Sequence, residues 1–414
     1  MNDAGATRGV QPSRNGGLAL YVHIPFCESK CPYCDFNTYA GIEALMPAYT
    51  AALAREIEQW GTWLGRPSLA SLFFGGGTPS YLPLHDLQRL MDTIRAAFDL
   101  PDGAEATLEA NPGDCSPERL AAMHDAGFNR ISIGVQSFDD TELAMLGRRH
   151  DAERAAQAVR YARGAGFDNV SLDLMFGLPE QPPATWERSV EQAVRLGTDH
   201  LSAYALTLEP GTPLEADVRL GRIPEPDPDL AAEMYLRAQA MLGGAGLRQY
   251  EISNWATPGR ESVHNLAYWR SLPYLGVGPG AHSYLYGLGA LDELGVRFAN
   301  VNPPRTYIQR VNAWQADGAL TPDAIAAAAA TGHCETVTYR NAMAETMMMG
   351  LRLNAGVSGD AFRERFGEGI TKAFPGPTAE CVDLGLLEWA DGALRLTEGG
   401  RLLGNEAFSR FVAG

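Results

Sequence analysis

Two hydrophobic periods take turns along the first half of the chain. Short, nearly continuous apolar runs at residues 18–24, 69–74, 106–109, 130–134, 169–175 and 200–206 read as buried strands. Between them lie stretches with apolar residues three and four apart, at 48–63, 84–98, 117–126, 140–146, 152–165 and 185–196, which read as amphipathic helices. Local punctuation supports these limits. Pro47 stands at a helix start, where a missing N–H costs nothing, and Ser116 and Gly127 bracket another helix as N-cap and C-terminal stop. Strands alternating with helices predict βα units around a parallel sheet. Six strands fall short of the eight of a closed barrel, so the expected core is a partial (β/α)6 TIM-like barrel.

The second half is less regular. Residues 221–228 (G-R-I-P-E-P-D-P) read as a linker, 230–242 as a helix and 249–255 as an extended piece. The strings H-N-L-A-Y-W from His264 and L-G-V-G-P-G-A-H-S from Leu275 follow, then an alanine-rich helix at 324–330. From Ala342 onward the pattern suggests a small winged-helix-like module, whose strand pair at 387–396 is closed by the Asp391-Gly392 turn. Met347, Met348 and Met349 read as helix core. The resulting organisation is a polar, disordered tail (1–17), a barrel core (18–225), a connector carrying the H-N-L-A-Y-W string (226–310) and a smaller α+β C-terminal domain (311–414).

Length and charge narrow the function classes. A chain of 414 residues suits one large barrel plus an appendage. A net charge of −17 argues against nucleic-acid binding and against adsorption to anionic membranes, since both need basic patches. No apolar run reaches the eighteen or so residues of a spanning helix, and the Gly-rich start has no signal-peptide core. Six cysteines without a paired framework fit a reducing compartment, so the expected location is the cytoplasm. Oligomeric state stays open, a dimer being one option.

The chemistry concentrates just past the strand ends, where βα folds place their reacting groups. Cys27, Cys31 and Cys34 fall in one short segment, Y-V-H-I-P-F-C-E-S-K-C-P-Y-C-D-F, framed by Phe26, Tyr33 and Phe36. Cys115, Cys334 and Cys381 are isolated, so no second knuckle completes a structural zinc site. Three thiolates on one loop can hold three irons of a cubane cluster and leave the fourth iron open. The rival reading is a redox-sensing or structural cysteine cluster with no iron. Gly75 to Thr78 allow close approach of the backbone to a ligand, although a glycine triplet alone is more often a tight βα turn. Glu109, Gln136 and Arg148 follow other apolar elements. Asp173 lies inside an apolar strand, where an unpaired carboxylate is costly and needs a partner.

The spacing C-x3-C-x2-C, with an aromatic residue before the third cysteine, resembles the radical S-adenosylmethionine (SAM) superfamily. More closely, C-P-Y-C-D-F, G-G-G-T-P-S, L-E-A-N-P, I-G-V-Q-S-F, L-G-R-R-H and D-L-M-F-G-L-P resemble, in order and spacing, oxygen-independent coproporphyrinogen III oxidase and its relatives. The resemblance implies a [4Fe–4S] cluster on Cys27, Cys31 and Cys34. It implies SAM contacts at Tyr21, Tyr33, Gly77, Thr78, Glu109, Gln136, Arg148, Asp173 and Ala205, with Arg148 suited to a carboxylate and Asp173 to a ribose hydroxyl. Three features point to the haem chaperones that branched from the oxidase. H-N-L-A-Y-W is similar to their H-N-x-x-Y-W pattern and implies His264 as a haem ligand, with Tyr268 and Trp269 shielding the porphyrin. Phe36 stands where the oxidase has a further cysteine. The segment ahead of Tyr21 is shorter than the oxidase's N-terminal portion. The implied function is haem binding and delivery to haem-requiring enzymes, membrane-bound respiratory proteins among them, without coproporphyrinogen oxidation. The enzymatic alternative is the oxidase itself, decarboxylating propionates through a 5′-deoxyadenosyl radical.

Overall fold

The computed structural model describes residues 17–288, 291, 294–328 and 330–412. The tail expected at 1–17 lies outside them except for Gly17. Six strands, β1 (Leu18–Ile24), β2 (Leu69–Gly76), β3 (Glu105–Ala110), β4 (Arg130–Gln136), β5 (Asn169–Phe176) and β6 (His200–Ala205), lie parallel and in sequence order. Each matches an expected apolar run to within two residues. Tyr21 pairs with Phe73, Gly134 with Asp173 and Phe176 with Ala205, so the strands end at a common level. The expected helices connect them. In Met46–Trp63 the buried Tyr49, Leu53, Ile57 and Trp60 recur at helical spacing and form one apolar face. The protein is therefore a partial (β/α)6 barrel, with a smaller α+β unit at its C-terminus.

The sheet does not stop at six strands. β7 (Arg248–Glu251), β8 (Asn254–Ala256), β9 (Tyr274–Val277), β10 (His282–Leu285), β11 (Val296–Asn300) and β12 (Thr331–Thr336) extend it in the order β12-β11-β10-β9-β1-β2-β3-β4-β5-β6-β8-β7. The extended piece expected at 249–255 is an antiparallel pair, β7 and β8, lying against β6. β9 lies parallel to β1, whereas β10 to β12 run antiparallel from it. The connector is thus part of the barrel's own sheet. The alanine-rich helix is also corrected: it spans Pro322–Ala327, because Thr331 onward pairs with β11.

Glu56 shows how the added strands are held. It sits on the apolar face of Met46–Trp63, fully buried, and accepts hydrogen bonds from Gly278 N (2.8 Å), Asn300 Nδ2 (2.7 Å) and Tyr307 Oη (2.5 Å). A buried carboxylate is tolerated only when its lone pairs are satisfied in this way.

The boundary expected at 311 falls too early. Residues up to 336 belong to the large sheet, and a second core begins near Val337, gathering Met347, Phe362, Phe366, Leu394 and Phe411. It carries β13 (Val357–Ser358), β14 (Leu387–Ala390) and β15 (Ala393–Leu396). The β14–β15 turn has Asp391 at φ 50° and Gly392 at φ 77°, the left-handed pair of a tight hairpin. Among the described residues, no helix is long and apolar enough to cross a membrane.

Candidate functional site at the strand ends

The cysteine loop leaves β1 and closes on itself. Cys27 N donates to Tyr39 O at 3.0 Å, Tyr39 N to Pro25 O at 2.8 Å, and Cys34 N to Cys31 O at 3.2 Å. Lys30 Nζ donates to the carbonyls of Phe36 (3.1 Å) and Thr38 (3.4 Å). The three thiols are unpaired and half-buried. Burial pushes the Cys27 and Cys34 thiols up from their ordinary value, so a bound cation is needed to hold them as thiolates. Among the described residues, no three His, Cys, Asp or Glu side chains converge as a single metal ion would require. A cubane takes each thiolate on a different iron, and three thiols on one loop can supply them.

Polar groups from the next strand ends face this loop. Thr78 Oγ1 approaches Cys27 Sγ at 3.5 Å, and Arg148 Nη1 approaches Cys31 Sγ at 3.4 Å and Tyr33 Oη at 3.5 Å. Arg148 Nη2 donates to Gly134 O at 2.7 Å, which fixes the guanidinium over the end of β4. A Cβ on Gly134 would meet Gln136 Nε2 at 3.1 Å and Arg148 Nη2 at 3.4 Å, so these two side chains converge. Gln136 itself adopts φ 68° at a bulge opposite β5, a strained placement for a residue with a side chain.

Two carboxylates complete the floor. Glu109 Oε2 accepts from Gly76 N at 3.1 Å, and it lies with the Tyr21 ring about a point 3.1 Å from each, beside Gly75. Its carboxyl is pushed up to about 8, first by burial and then by the charge of Asp173. Burial also raises Asp173, against hydrogen bonds from Ser202 and Ser132 and the charges of Arg130 and Arg148. Both side chains keep partial contact with solvent, as groups lining a recess do. At the rim, Leu146, Met175 and Leu178 form an apolar cluster with Tyr33 and Leu206, and Ala205 is exposed beside it.

The glycine triplet packs closely on its neighbouring strand. A Cβ on Gly77 would stand 2.7 Å from both Ile24 O and Phe26 O, and one on Gly76 would stand 2.5 Å from the His23 ring. The close approach is to β1 itself, where Gly77 N and Thr78 N donate to those same carbonyls at 2.8 Å.

Sequence reasoning missed the buttress behind the cysteine loop. Tyr21 Oη and Asn37 O flank His23, at 3.0 Å from Nδ1 and Nε2 respectively, while Asn37 Nδ2 donates to Pro279 O at 2.9 Å. Gly278 and Gly280, at φ 99° and 75°, leave room for His23 and Asn37, which a Cβ would strike at 2.6 Å. The glycine spacing in G-V-G-P-G was the available signal.

His264 is the second residue of the helix Val263–Trp269, is fully buried, and stacks on Phe73 with centroids 5.1 Å apart. Nδ1 lies 2.9 Å from Ser71 Oγ and Nε2 lies 2.9 Å from Tyr268 Oη. Burial, then the charge of Arg130, lowers its pKa to about 3. Both nitrogens are engaged inside the barrel, by Ser71 and Tyr268. His282, the imidazole of the string that begins at Leu275, is exposed on β10. Cavities of about 360 Å³, beside Asp360 and Arg363, and about 430 Å³, beside Trp269 and Met348, open on the C-terminal unit and include no strand-end group. The strand-end site is recognised by its chemistry and not by its volume.

These features recur in known proteins. The radical SAM superfamily model matches residues 21–193, and the HemN C-terminal domain model matches 337–403. The chain is 38% identical over 395 residues to the heme chaperone HemW of Bacillus subtilis, covering 95% of this chain and 99% of that one. It is 42% identical over 305 residues to the heme chaperone HemW of Mycobacterium tuberculosis, covering 73% and 76%. Coproporphyrinogen III oxidase (HemN) from Escherichia coli shares its fold, with a TM-score of 0.80 at 23% identity over 98% of this chain and 92% of that one. On cysteine loop, strand-end groups and a relative 38% identical and matched over 99% of its length, the chain belongs to the HemW family of radical SAM proteins.

Proposed function

We propose that this protein is a cytoplasmic haem chaperone that carries a [4Fe–4S] cluster and SAM, binds haem, and passes it to haem-requiring enzymes, respiratory ones included. The observation that carries the cofactor half is the gathering of three unpaired thiols with Thr78, Glu109, Gln136, Arg148 and Asp173 at the ends of consecutive strands. The cargo half is supported by the relatives named heme chaperone.

In this reading Cys27, Cys31 and Cys34 hold the cluster, which supplies when bound an open iron and one electron. The chain's own groups bind and orient SAM. Arg148, fixed by Gly134 O, pairs with its carboxylate. Glu109 accepts from its ammonium, Asp173 and Gln136 take ribose hydroxyls, and Tyr33 with the Leu146–Met175–Leu178 rim covers the adenine. Tyr21 supports Glu109 from below, Gly77 and Thr78 shape the wall beside Cys27, and Ala205 leaves the β6 side of the opening unobstructed.

Phe36 is exposed where the oxidase would have another cysteine, which favours the chaperone over the oxidase. The test is anaerobic reconstitution followed by two assays. Haem loaded on the protein should transfer to an apo-haemoprotein, and coproporphyrinogen III with SAM and reductant should remain unconverted. Multiple turnovers to protoporphyrinogen IX would replace the chaperone with the oxidase, and failure to retain haem through gel filtration would remove the chaperone reading.

A further inference from the structure

Two carboxylates at the strand ends, Glu109 and Asp173, stand in one recess above a buried guanidinium, that of Arg130. Resting on the SAM half of the proposed function, we infer that Arg130 is a positioning residue for that cofactor: its charge, one row of side chains below Glu109, lets both carboxylates ionise together and so receive the ammonium and hydroxyls of SAM.

Register places the arginine. Thr107 pairs with Arg130 and Glu109 with Ser132, and side chains two apart on a strand share a face. Arg130 therefore lies about 7 Å below Glu109 along the strands. Asp173 reaches down from β5 to the same row, where its Oδ1 accepts from Ser132 Oγ at 3.2 Å. The Arg130 side chain is only 3% exposed, yet no tight fork holds it. Nη1 donates to Thr107 Oγ1 at 3.4 Å and Nε lies 3.9 Å from Glu105 Oε2. Among the described residues, Nε has no hydrogen-bond partner. An arginine kept for structure alone spends its charge in a short, bidentate pair. Glu105 is committed elsewhere, accepting from Val263 N at 3.1 Å and His264 N at 3.0 Å where the Val263–Trp269 helix starts. The charge of Arg130 is left to act on the carboxylates above it.

Those carboxylates need it. Two like charges in one poorly hydrated recess retain a proton unless a cation offsets them. Beyond burial, Asp173 opposes the ionisation of Glu109, while the Gly76 N–H and Arg130 favour it. Asp173 draws on Arg148 as well as Arg130. Tyr21, Tyr204 and Tyr268 face Glu109 from β1, β6 and the Val263–Trp269 helix, but desolvation raises all three phenols above their ordinary value of 10 and they stay neutral. A unit charge about 7 Å away, at an effective dielectric of about 20, moves a carboxyl titration by between about one and two pH units. That is enough to decide whether Glu109 can ionise near neutral pH, releasing its proton to solvent as SAM binds.

The experiment is anaerobic calorimetric titration of SAM into the full, cluster-reconstituted chain from pH 6.5 to 9, with melting temperature and iron–sulfur absorption as folding checks. The amine of SAM titrates alike in every variant, so the ratio of parent to variant affinity is the quantity read. Arg130→Met removes the charge at similar length. Arg130→Met with Glu105→Gln removes both members of the buried pair, so that no bare carboxylate is left behind. Both are expected to bind SAM roughly tenfold more weakly than the parent below pH 8, and to come within about threefold of it by pH 9. Arg130→Lys keeps the charge and should follow the parent's profile. A ratio that does not change with pH in a folded neutral variant, or a lysine variant no better than the methionine one, would overturn the role. Collapse of both neutral variants would overturn it too, by making Arg130 a structural part. A parent that binds no SAM would instead remove the cofactor reading itself.

Discussion

If His264 is a buried, neutral part of the barrel floor, then acid should undermine the fold through it, and the size of the effect can be worked out. The ordinary imidazole value is 6.5, and burial lowers His264 to about 3. The unfolded chain therefore takes up a proton below pH 6.5 that the folded chain refuses until about pH 3. Stability from this group is complete above pH 6.5 and falls with acidification, by roughly 1.4 kcal/mol per pH unit. By pH 5 the loss is about 2 kcal/mol, and across the whole window it is of order 5 kcal/mol. His264→Gln removes the titration but keeps one donor and one acceptor near Ser71 and Tyr268. At pH 8 the variant should be less stable by about 2–3 kcal/mol, from one poorer hydrogen bond and the lost stacking on Phe73. The parent's advantage should then shrink towards zero near pH 5. Other groups titrate too, Glu109 with the opposite sign, so the parent-minus-variant difference is the quantity to measure. Anaerobic urea unfolding from pH 5 to 8, followed by tryptophan fluorescence, gives it directly. A difference that stays constant over that range would show that the imidazole is not held neutral, and the structural role assigned to His264 would fall.

Three further outcomes follow from the strand-end site. Cys31→Ala should lose the broad visible absorption of the reconstituted protein and most of its iron, and normal iron content in that variant would sink the cluster assignment. Glu109, raised to about 8, must ionise to accept from the SAM ammonium. SAM affinity should therefore climb by up to about tenfold per unit between pH 6 and 8 and level off above that. Calorimetric titration of the parent and Glu109→Gln checks this, and a flat parent profile argues against the contact. Gly77→Ala places a methyl 2.7 Å from two β1 carbonyl oxygens, so the wall beside Cys27 must shift. A loss of about 2–3 kcal/mol in stability and weaker SAM binding are expected; a variant matching the parent in both would show the loop to be compliant.

The sequence by itself determined the barrel and most of its rim. Strands β1 to β6 were readable because buried parallel strands are unbroken apolar runs, and caps such as Ser116 and stops such as Gly127 act within a few residues. The cysteine loop, Glu109 and Asp173 were readable for a related reason, each sitting just past such a run or inside one, and Arg148 follows the short helix after β4. What depended on partners far along the chain stayed hidden. Strands β7 to β12 have three to six residues' worth of pattern at most, too little for a period, and β9 is a strand because β1 offers it an open edge. Nothing local marks Glu56 as special, and only Gly278, Asn300 and Tyr307, far along the chain, give its carboxylate a purpose. His264 is the sharpest case. The H-N-L-A-Y-W string implied a haem ligand and was silent on its surroundings, which are set by Ser71, Phe73 and Arg130, brought to it only by the folded sheet. Local periodicity records which face a residue turns inward; only tertiary contacts decide what it meets there, and so whether its nitrogens are free.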